Sequence, residues 1–484
     1  MVSRRPLTHL SHALEHAEHA SEWREVARAF DRATGAAAWQ AEDDSPYYDA
    51  RALRSDILTL RTLRERGEVE ALAAALTESL YRHQLELAAP ALYQVALVGT
   101  KHLVESYLDA AEDTMDWLAH SEQPQVPIAA QLQRFRVAWK VFGRSALLLS
   151  GGATLGFHHL GVVKALFEHG LLPDILSGAS TGAMIAAGIG ARDDAEVSEL
   201  FANTDQMRLD GLAPVGLRKL RSNGGWLDPA RLYAVLQHNI GPRTFAEAHA
   251  HSGRTLNISV SATRSRQKPR LLTHLTAPDV LVASAALASS ALPGLYPAVE
   301  LEMRGRDGRT VPYIDGERWT DGSLDGDLPK ARMSRLHNVN HFIVSQTNPH
   351  VLPFVAHHGR QGLVPIVGGL FSAAARTQGA YAADLLRRAT QRSQGPLHLL
   401  ANQAHTLVSQ DYRGNIDIHP RFHWRLYKKV VQNPNRADLA CFILEGERSV
   451  WPLLSRIHNE TRIGRSFQRC IRILEQRTAT QPSG

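Results

Sequence analysis

The stretch Asp174 to Gly190, DILSGASTGAMIAAGIG, leaves this chain little freedom in how it can fold. A short apolar run ends at Ile175 and Leu176. Gly178-Ala179-Ser180-Thr181-Gly182 follows, and then Ala183, Met184, Ile185, Ala186 and Ala187 supply a segment of high helix propensity. This is the G-x-S-x-G pattern of a nucleophile elbow. In that device a serine stands on a sharp strand-to-helix turn, and small residues on both sides let the backbone close. Ser180 would sit at a helix N-terminus, where the macrodipole favours negative charge developing on its oxygen. The same five residues also fit a plain Gly/Ser turn, so their meaning rests on the remainder of the chain.

The flanks extend the pattern. Ala146, Leu147, Leu148 and Leu149 form a continuous apolar run, as a buried strand requires. Ser150 to Gly156, SGGATLG, breaks it. FHHLGVVKALFEHG then reads as a helix closed by Gly170, and Leu171 to Leu176 reads as the next strand. Strand, loop, helix, strand, elbow and helix predict a parallel βαβα arrangement. Further strands are expected at Leu256–Val260 and His341–Ser345, a helix at Val280–Ser290, and a hairpin tip at Arg304–Arg309.

Residues 1–143 read as helical. Trp23, Val26 and Phe30 keep the helical period, as do Leu58, Leu60 and Leu63, then Leu72, Leu76 and Leu80. Ser45-Pro46 marks a break, and Lys101 and Glu105 stand at i,i+4. Gln131 to Arg144, QLQRFRVAWKVFGR, is a basic amphipathic segment with Leu132, Phe135, Trp139 and Phe142 on one side. Such a helix suits a membrane or lipid-droplet surface. A core-facing helix with a solvated basic side gives the same pattern. From about Pro349 the chain returns to mostly helix.

Composition bounds the function classes. The 484 residues are 44% hydrophobic and 21% charged, which places the chain among globular proteins. The net charge of +6 comes mostly from dispersed arginines. It favours anionic surfaces, but no basic run interleaved with stacking aromatics points to nucleic acid. The two cysteines, Cys441 and Cys470, form no CxxC pair, so neither a structural metal site nor a disulfide framework is expected, and a reducing compartment is the default. Neither a secretory signal nor a membrane-spanning run is predicted.

Three pieces carry chemistry. Gly151-Gly152 lies between strand and helix, where backbone N–H groups can converge on a phosphate or an oxyanion. The dinucleotide pattern fails, because Ala153 stands at its third position and the acidic Asp174 precedes the second strand. The P-loop pattern fails for want of Gly-Lys-Ser/Thr. Ser180 needs a base to take its proton. Arg318-Trp319-Thr320-Asp321-Gly322-Ser323 offers a carboxylate at a tight turn, but Asp315, Asp321 and Asp325 all precede glycine, so spacing does not choose among them.

SGGATLGFHHLGVVKALFEHGLLP, SGASTG and WTDGSLDGDLP closely resemble the patatin-like phospholipases, and in particular the lipid-droplet triacylglycerol lipases of fungi and plants. SPYYDARAL, VGTKHLVESYL, LLTHLTAPDVLVASAALASSALPGLYP, NVNHFIVSQTNPHV and GERSVWPLLSRIHNETRI extend the similarity from about Trp23 to Ile473. The resemblance implies an α/β fold. Its core would be a patatin-like three-layer α/β/α catalytic domain with a mostly parallel sheet at 144–347. A helical N-terminal domain of triacylglycerol lipase type would precede it at 1–143, and a mainly helical C-terminal extension would follow at 348–484.

It also implies roles. Ser180 matches the nucleophile, and Asp321, which alone follows the tryptophan, matches the proton acceptor. Gly151, Gly152 and Ala153 match the oxyanion loop, Gly178 and Gly182 flank the nucleophile, and Gly156 and Gly322 belong to the motifs. No cofactor or metal is implied. Two positions depart from the family pattern. Ala153 replaces a common glycine, which requires only that its φ suit an L-residue. Ser323 stands where other patatins carry Gly or Ala, as is typical of the lipase subgroup.

The implied reaction is ester hydrolysis by a Ser180–Asp321 dyad through an acyl-enzyme, in a site desolvated enough for a carboxylate to act as base. The implied substrate is a triacylglycerol. Phospholipase A or lysophospholipid acyltransferase chemistry would use the same dyad. A Ser-Asp-His triad drawing on His337, His341 or His350 is the rival within hydrolases. A non-catalytic lipid-binding or interaction protein is the rival outside them. His158 and His159 read as helix residues that hold the glycine loop. The expected location is cytoplasmic, with interfacial attachment to a membrane or lipid-droplet surface.

Overall fold

The computed structural model describes residues 4–122, 126–216, 225–264, 269–322, 328–348, 413–420 and 429–480. Ser323, Asp325, His350 and most of 348–484 lie outside the described residues.

The apolar runs become the centre of a seven-stranded sheet in the order β4-β3-β2-β1-β8-β9, with β7 also paired to β3. β1 (Arg144–Leu149), β2 (Ile175–Gly178), β3 (Thr255–Ala262), β8 (Val339–Ser345) and β9 (Ile416–Ile418) run parallel. β4 (Arg270–Leu272) and β7 (Trp319–Asp321) pair antiparallel to β3. β5 (Glu302–Arg304) and β6 (Thr310–Pro312) form a separate hairpin around the expected turn. The strand expected at 171–176 starts only at Ile175. β9 lies where mostly helix was expected, as a three-residue edge strand too short to show a period.

Both faces of the central strands are buried, which explains the unbroken apolar runs. Leu147, Leu149, Leu176, Ile258 and Ile343 join the main core. Ala146, Leu148, Ile175, Phe342 and Val344 point the other way and meet Met333. β1 has β2 on one side and β8 on the other. The chain therefore reverses its direction of winding there, and a crevice opens beyond the carboxyl ends of β1 and β8.

Helices α1 (Arg4–His16), α2 (Ala20–Thr34), α3 (Ala36–Ala41), α4 (Ala50–Glu65), α5 (Val69–Leu87), α6 (His102–His120) and α7 (Ile128–Phe142) precede the sheet. α8 (His158–Glu168), α9 (Thr181–Gly190), α10 (Asp194–Ala202), α11 (Pro229–Ile240), α12 (Phe245–Ser252), α13 (Val282–Ser289) and α14 (Lys330–His337) are interspersed with it. α15 (Arg436–Val450) and α16 (Leu454–Thr480) end the described chain. Lys101 precedes α6 and does not pair with Glu105. Its Nζ donates to the Glu42 carbonyl at 2.8 Å and sits 4.5 Å over the Trp39 ring. The apolar side of α7 is taken up inside the protein. Leu132 is buried, and Phe135, Trp139 and Phe142 pack on the same cluster. Arg134 and Arg136 pair with Glu70 and Glu475. This is the core-facing alternative for that helix.

α16 ties both halves of the molecule together. Leu454 and Ile457 enter the main core, whereas Ile463, Phe467, Cys470, Ile471 and Leu474 complete the core of the N-terminal helices. Arg462 and Arg469 both bond Glu112 of α6. Burial alone would raise the Glu112 pKa, but those two arginines hold it at about 2. α15 lies against α8 at two glycines. A Cβ on Gly161 would come within 1.8 Å of the Ile443 carbonyl oxygen, and one on Gly446 within 2.3 Å of the His158 carbonyl oxygen. Backbone meets backbone there and no rotamer can give way. Gly161→Ala is expected to cost about 3 kcal/mol or more, read as a lower urea midpoint with an unchanged m-value.

Candidate active site

Gly178 ends β2, Ser180 caps α9, and the elbow between them closes by backbone contact. A Cβ on Gly178 would stand 2.3 Å from the Gly182 carbonyl oxygen, and one on Gly182 would stand 2.2 Å from that of Leu149. The spacing of the two glycines follows from this crowding. Ser180 takes φ 52°, ψ −127°, a conformation that costs an L-residue of order 1–3 kcal/mol. The Ser289 hydroxyl accepts the Ser180 N–H at 3.0 Å and helps hold it. Ser289, one of several serines in an alanine-rich helix, carries no pattern that marks it for this role.

The loop after β1 lies beside this turn. Gly156 is needed because its Cβ would meet the Thr181 side chain at 2.6 Å, and Gly152 because its Cβ would meet Thr347 Oγ1 at 2.2 Å. Thr181 in turn donates to the Ala153 carbonyl at 2.8 Å. Ala153 has φ 48°, in the left-handed region that glycine favours, so the expectation that its φ would suit an L-residue is not met. Among the described residues the backbone N–H groups of Gly152 and Ala153 meet no acceptor.

His159 secures the loop. Its Nε2 lies 2.9 Å from the Ser150 carbonyl, which can only accept, so the ring proton belongs on Nε2. Nδ1 then accepts from the Ser345 hydroxyl at 2.7 Å. Burial pushes His159 down to about 4, partly opposed by its bond to Ser150. The folded pKa is below the unfolded value of about 6.5, so between these values the unfolded chain takes up a proton that the folded chain refuses. The contribution is complete above about pH 6.5 and is lost as pH falls to about 4, roughly 3 kcal/mol in all. Thermal melts from pH 7 to pH 4 should fall in this window, and His159→Gln should flatten the slope.

Asp321 ends β7, pairs with Val260 of β3, is 1% exposed, and donates its N–H to the Ala291 carbonyl at 3.1 Å. Gly322 follows because a Cβ there would strike the Ser259 carbonyl oxygen at 2.1 Å. Asp315, by contrast, is exposed.

Gly151, Gly152, Ala153, Ser180 and Asp321 line one cavity of about 380 Å³. No histidine lines it among the described residues. His337 is bonded to Asn257 at 2.8 Å, and His341 is held between Ser145 and Glu460. The rest of the wall is nearly all apolar. Ser180, Met184, Gly188 and Arg192 succeed one another at four-residue steps, so they form one stripe down α9 and just beyond it. Leu232, Leu236 and Asn239 of α11 face the same cavity. Its far end is polar. Arg192 donates to the Gly188 and Asn239 carbonyls, and the Asn239 side chain bonds both backbone groups of Arg208. Among the described residues, Asp193, Glu196 and His251 could approach a metal together, but they lie outside the cavity lining.

A mostly parallel α/β sheet with a strained serine beyond the carboxyl end of β2 defines a class of fold and site, and the comparisons narrow it. Residues 147–329 match the patatin-like phospholipase family, and residues 2–138 match a domain of unknown function, DUF3336. The chain is 30% identical over 454 residues to triacylglycerol lipase ptl3 of Schizosaccharomyces pombe, covering 90% of this chain and 92% of that one. It is 30% identical over 472 residues to triacylglycerol lipase SDP1L of Arabidopsis thaliana, covering 94% and 57%. With triacylglycerol lipase 4 of Saccharomyces cerevisiae it is 30% identical over 480 residues, covering 92% and 51%. The chain thus spans little more than half the length of several of these curated relatives. Among solved structures, VipD from Legionella pneumophila shares 14% identity over 65% of this chain and 67% of that one, at a TM-score of 0.31, too distant to inform the site. The chain belongs to the patatin-like phospholipase family, in the group that also carries the DUF3336 region.

Proposed function

We propose that this protein hydrolyses long-chain acylglycerols, triacylglycerol first among them, with Ser180 as nucleophile and Asp321 as its base. One observation carries the reading. The strained Ser180, the buried Asp321 and the unpaired N–H groups of Gly152 and Ala153 border the same apolar cavity.

In this mechanism Ser180 Oγ attacks the ester carbonyl while the Asp321 carboxylate takes its proton. The Gly152 and Ala153 N–H groups donate to the tetrahedral oxyanion, each worth roughly 3 kcal/mol of barrier. The alkoxide leaves with the proton, and water then attacks acyl-Ser180 with Asp321 again as base. The names of the relatives support an acylglycerol as substrate. Among the described residues no helix is long and apolar enough to cross a membrane, so contact with lipid is read as interfacial.

The α9 stripe gives the acyl chain its path. Gly188 lies eight residues from Ser180, about 12 Å along the helix. An extended chain with carbon–carbon bonds of about 1.5 Å gains about 1.25 Å per bond, so Gly188 stands beside roughly the tenth carbon.

A panel of labelled triacylglycerol, phospholipid, and lysophospholipid with an acyl donor tests the assignment. Free fatty acid released fastest from triacylglycerol is expected. Cleavage of phospholipid alone, or transfer to lysophospholipid without hydrolysis, would overturn it.

A further inference from the structure

A second cleft, of about 400 Å³, opens at the opposite end of the sheet. Arg144 and Ser145 begin β1 there and Asp174 stands just ahead of β2, so β1 separates this cleft from the Ser180 cavity by roughly 17 Å. Trp139 of α7, the strand starts and Thr461 to Arg472 of α16 build most of it, with Phe167 of α8, the turn after it and Asp194 of α10.

Its lining carries five arginines, Arg144, Arg254, Arg465, Arg469 and Arg472, against two aspartates, Asp174 and Asp194. Two arginines are spoken for, since Arg254 pairs with Asp194 and Arg469 with Glu112 and Asp116. Arg144, Arg465 and Arg472 have no ion-pair partner among the described residues. The Nε atoms of Arg144 and Arg465 are buried without an acceptor. Arg144 rests 5.1 Å from the Trp139 ring, and the remaining bonds of Arg465 are long, 3.4 Å to the Gly170 carbonyl and 3.3 Å to that of His458. Buried guanidinium N–H groups without acceptors are costly, and native proteins seldom keep them without a partner.

We propose that this cleft binds a phosphomonoester group. A phosphomonoester carries close to two negative charges and three acceptor oxygens at neutral pH. Planar guanidinium forks bind phosphate oxygens two at a time, and three arginines without ion-pair partners can share three oxygens and nearly two charges where a single carboxylate offers two oxygens and one charge. The group could be presented by a soluble phosphate compound or by the headgroup of phosphatidic acid, and both arrive at the same arginines. Because α7, the sheet and α16 all contribute, occupancy would clamp the N-terminal helices to the catalytic core. The inference stands apart from the chemistry at Ser180.

The test uses the full chain and two variants. Arg472 is exposed and unpaired, so Arg472→Gln is expected to fold with an unchanged melting point. Arg465→Gln removes the buried donor. Glycerol 3-phosphate binding is followed by calorimetry. Flotation compares phosphatidylcholine vesicles doped with phosphatidic acid against vesicles doped equally with phosphatidylserine. Binding of either phosphomonoester form, weakened roughly tenfold in each variant, is the expected result, since each loses a charge-assisted hydrogen bond. Response to glycerol 3-phosphate identifies a soluble ligand. Response only to phosphatidic acid identifies a headgroup. No binding of either form, equal flotation with phosphatidylserine, or binding unchanged in Arg472→Gln would overturn the proposal.

Discussion

Asp321→Asn is expected to lower kcat for ester hydrolysis by about four orders of magnitude while leaving the fold intact. The amide keeps the shape of the side chain at the end of β7 but has no lone pair basic enough to take the Ser180 proton. Asp321 is 1% exposed, so water cannot readily replace it. His341→Gln provides the contrast. His341 is held by Ser145 and Glu460 and lines no part of the cavity, so its loss should change kcat only a few-fold. Equal loss in both variants, or loss only in His341→Gln, would restore a histidine base.

Gly188→Leu is expected to change which esters are cleaved. The glycine faces the cavity, and a Cβ there meets only Arg192, at 3.8 Å, so a leucine side chain fits but fills the slot. Chains shorter than about ten carbons end before it. A hexadecanoyl chain loses burial of about six methylenes, each worth about 0.8 kcal/mol. Allowing for rerouting of the chain, the ratio of kcat/KM for hexadecanoyl over hexanoyl p-nitrophenyl ester should fall at least about 30-fold. A ratio equal to that of the unmodified protein would place the acyl chain elsewhere while leaving the Ser180–Asp321 chemistry standing.

The elbow was legible because its demands are local. Gly178 and Gly182 contact the turn they flank, and any chain making that turn needs them. The parallel strands were legible because burial on both faces leaves an unbroken apolar run. What escaped was set by distant partners. β9 is three residues long and owes its place to β8. Gly161 and Gly446 look like ordinary helix residues until α8 and α15 meet. Gln131 to Arg144 has the pattern of a lipid-surface helix, yet Phe467, some 330 residues later in sequence, covers its aromatic side. Ala153 offers no hint in its identity that the loop bends it to positive φ. Among the three Asp-Gly pairs, resemblance singled out Asp321. The structure buries it in the wall of the cavity that Ser180 also lines, and leaves Asp315 in solvent.

The most direct measurement is intact-mass and peptide analysis after exposure of folded protein to a fluorophosphonate. The reading predicts one adduct per chain, on Ser180, and none in Ser180→Ala. Folded protein that never acquires the adduct, or acquires it at another serine, would contradict the assignment of Ser180 as the attacking residue.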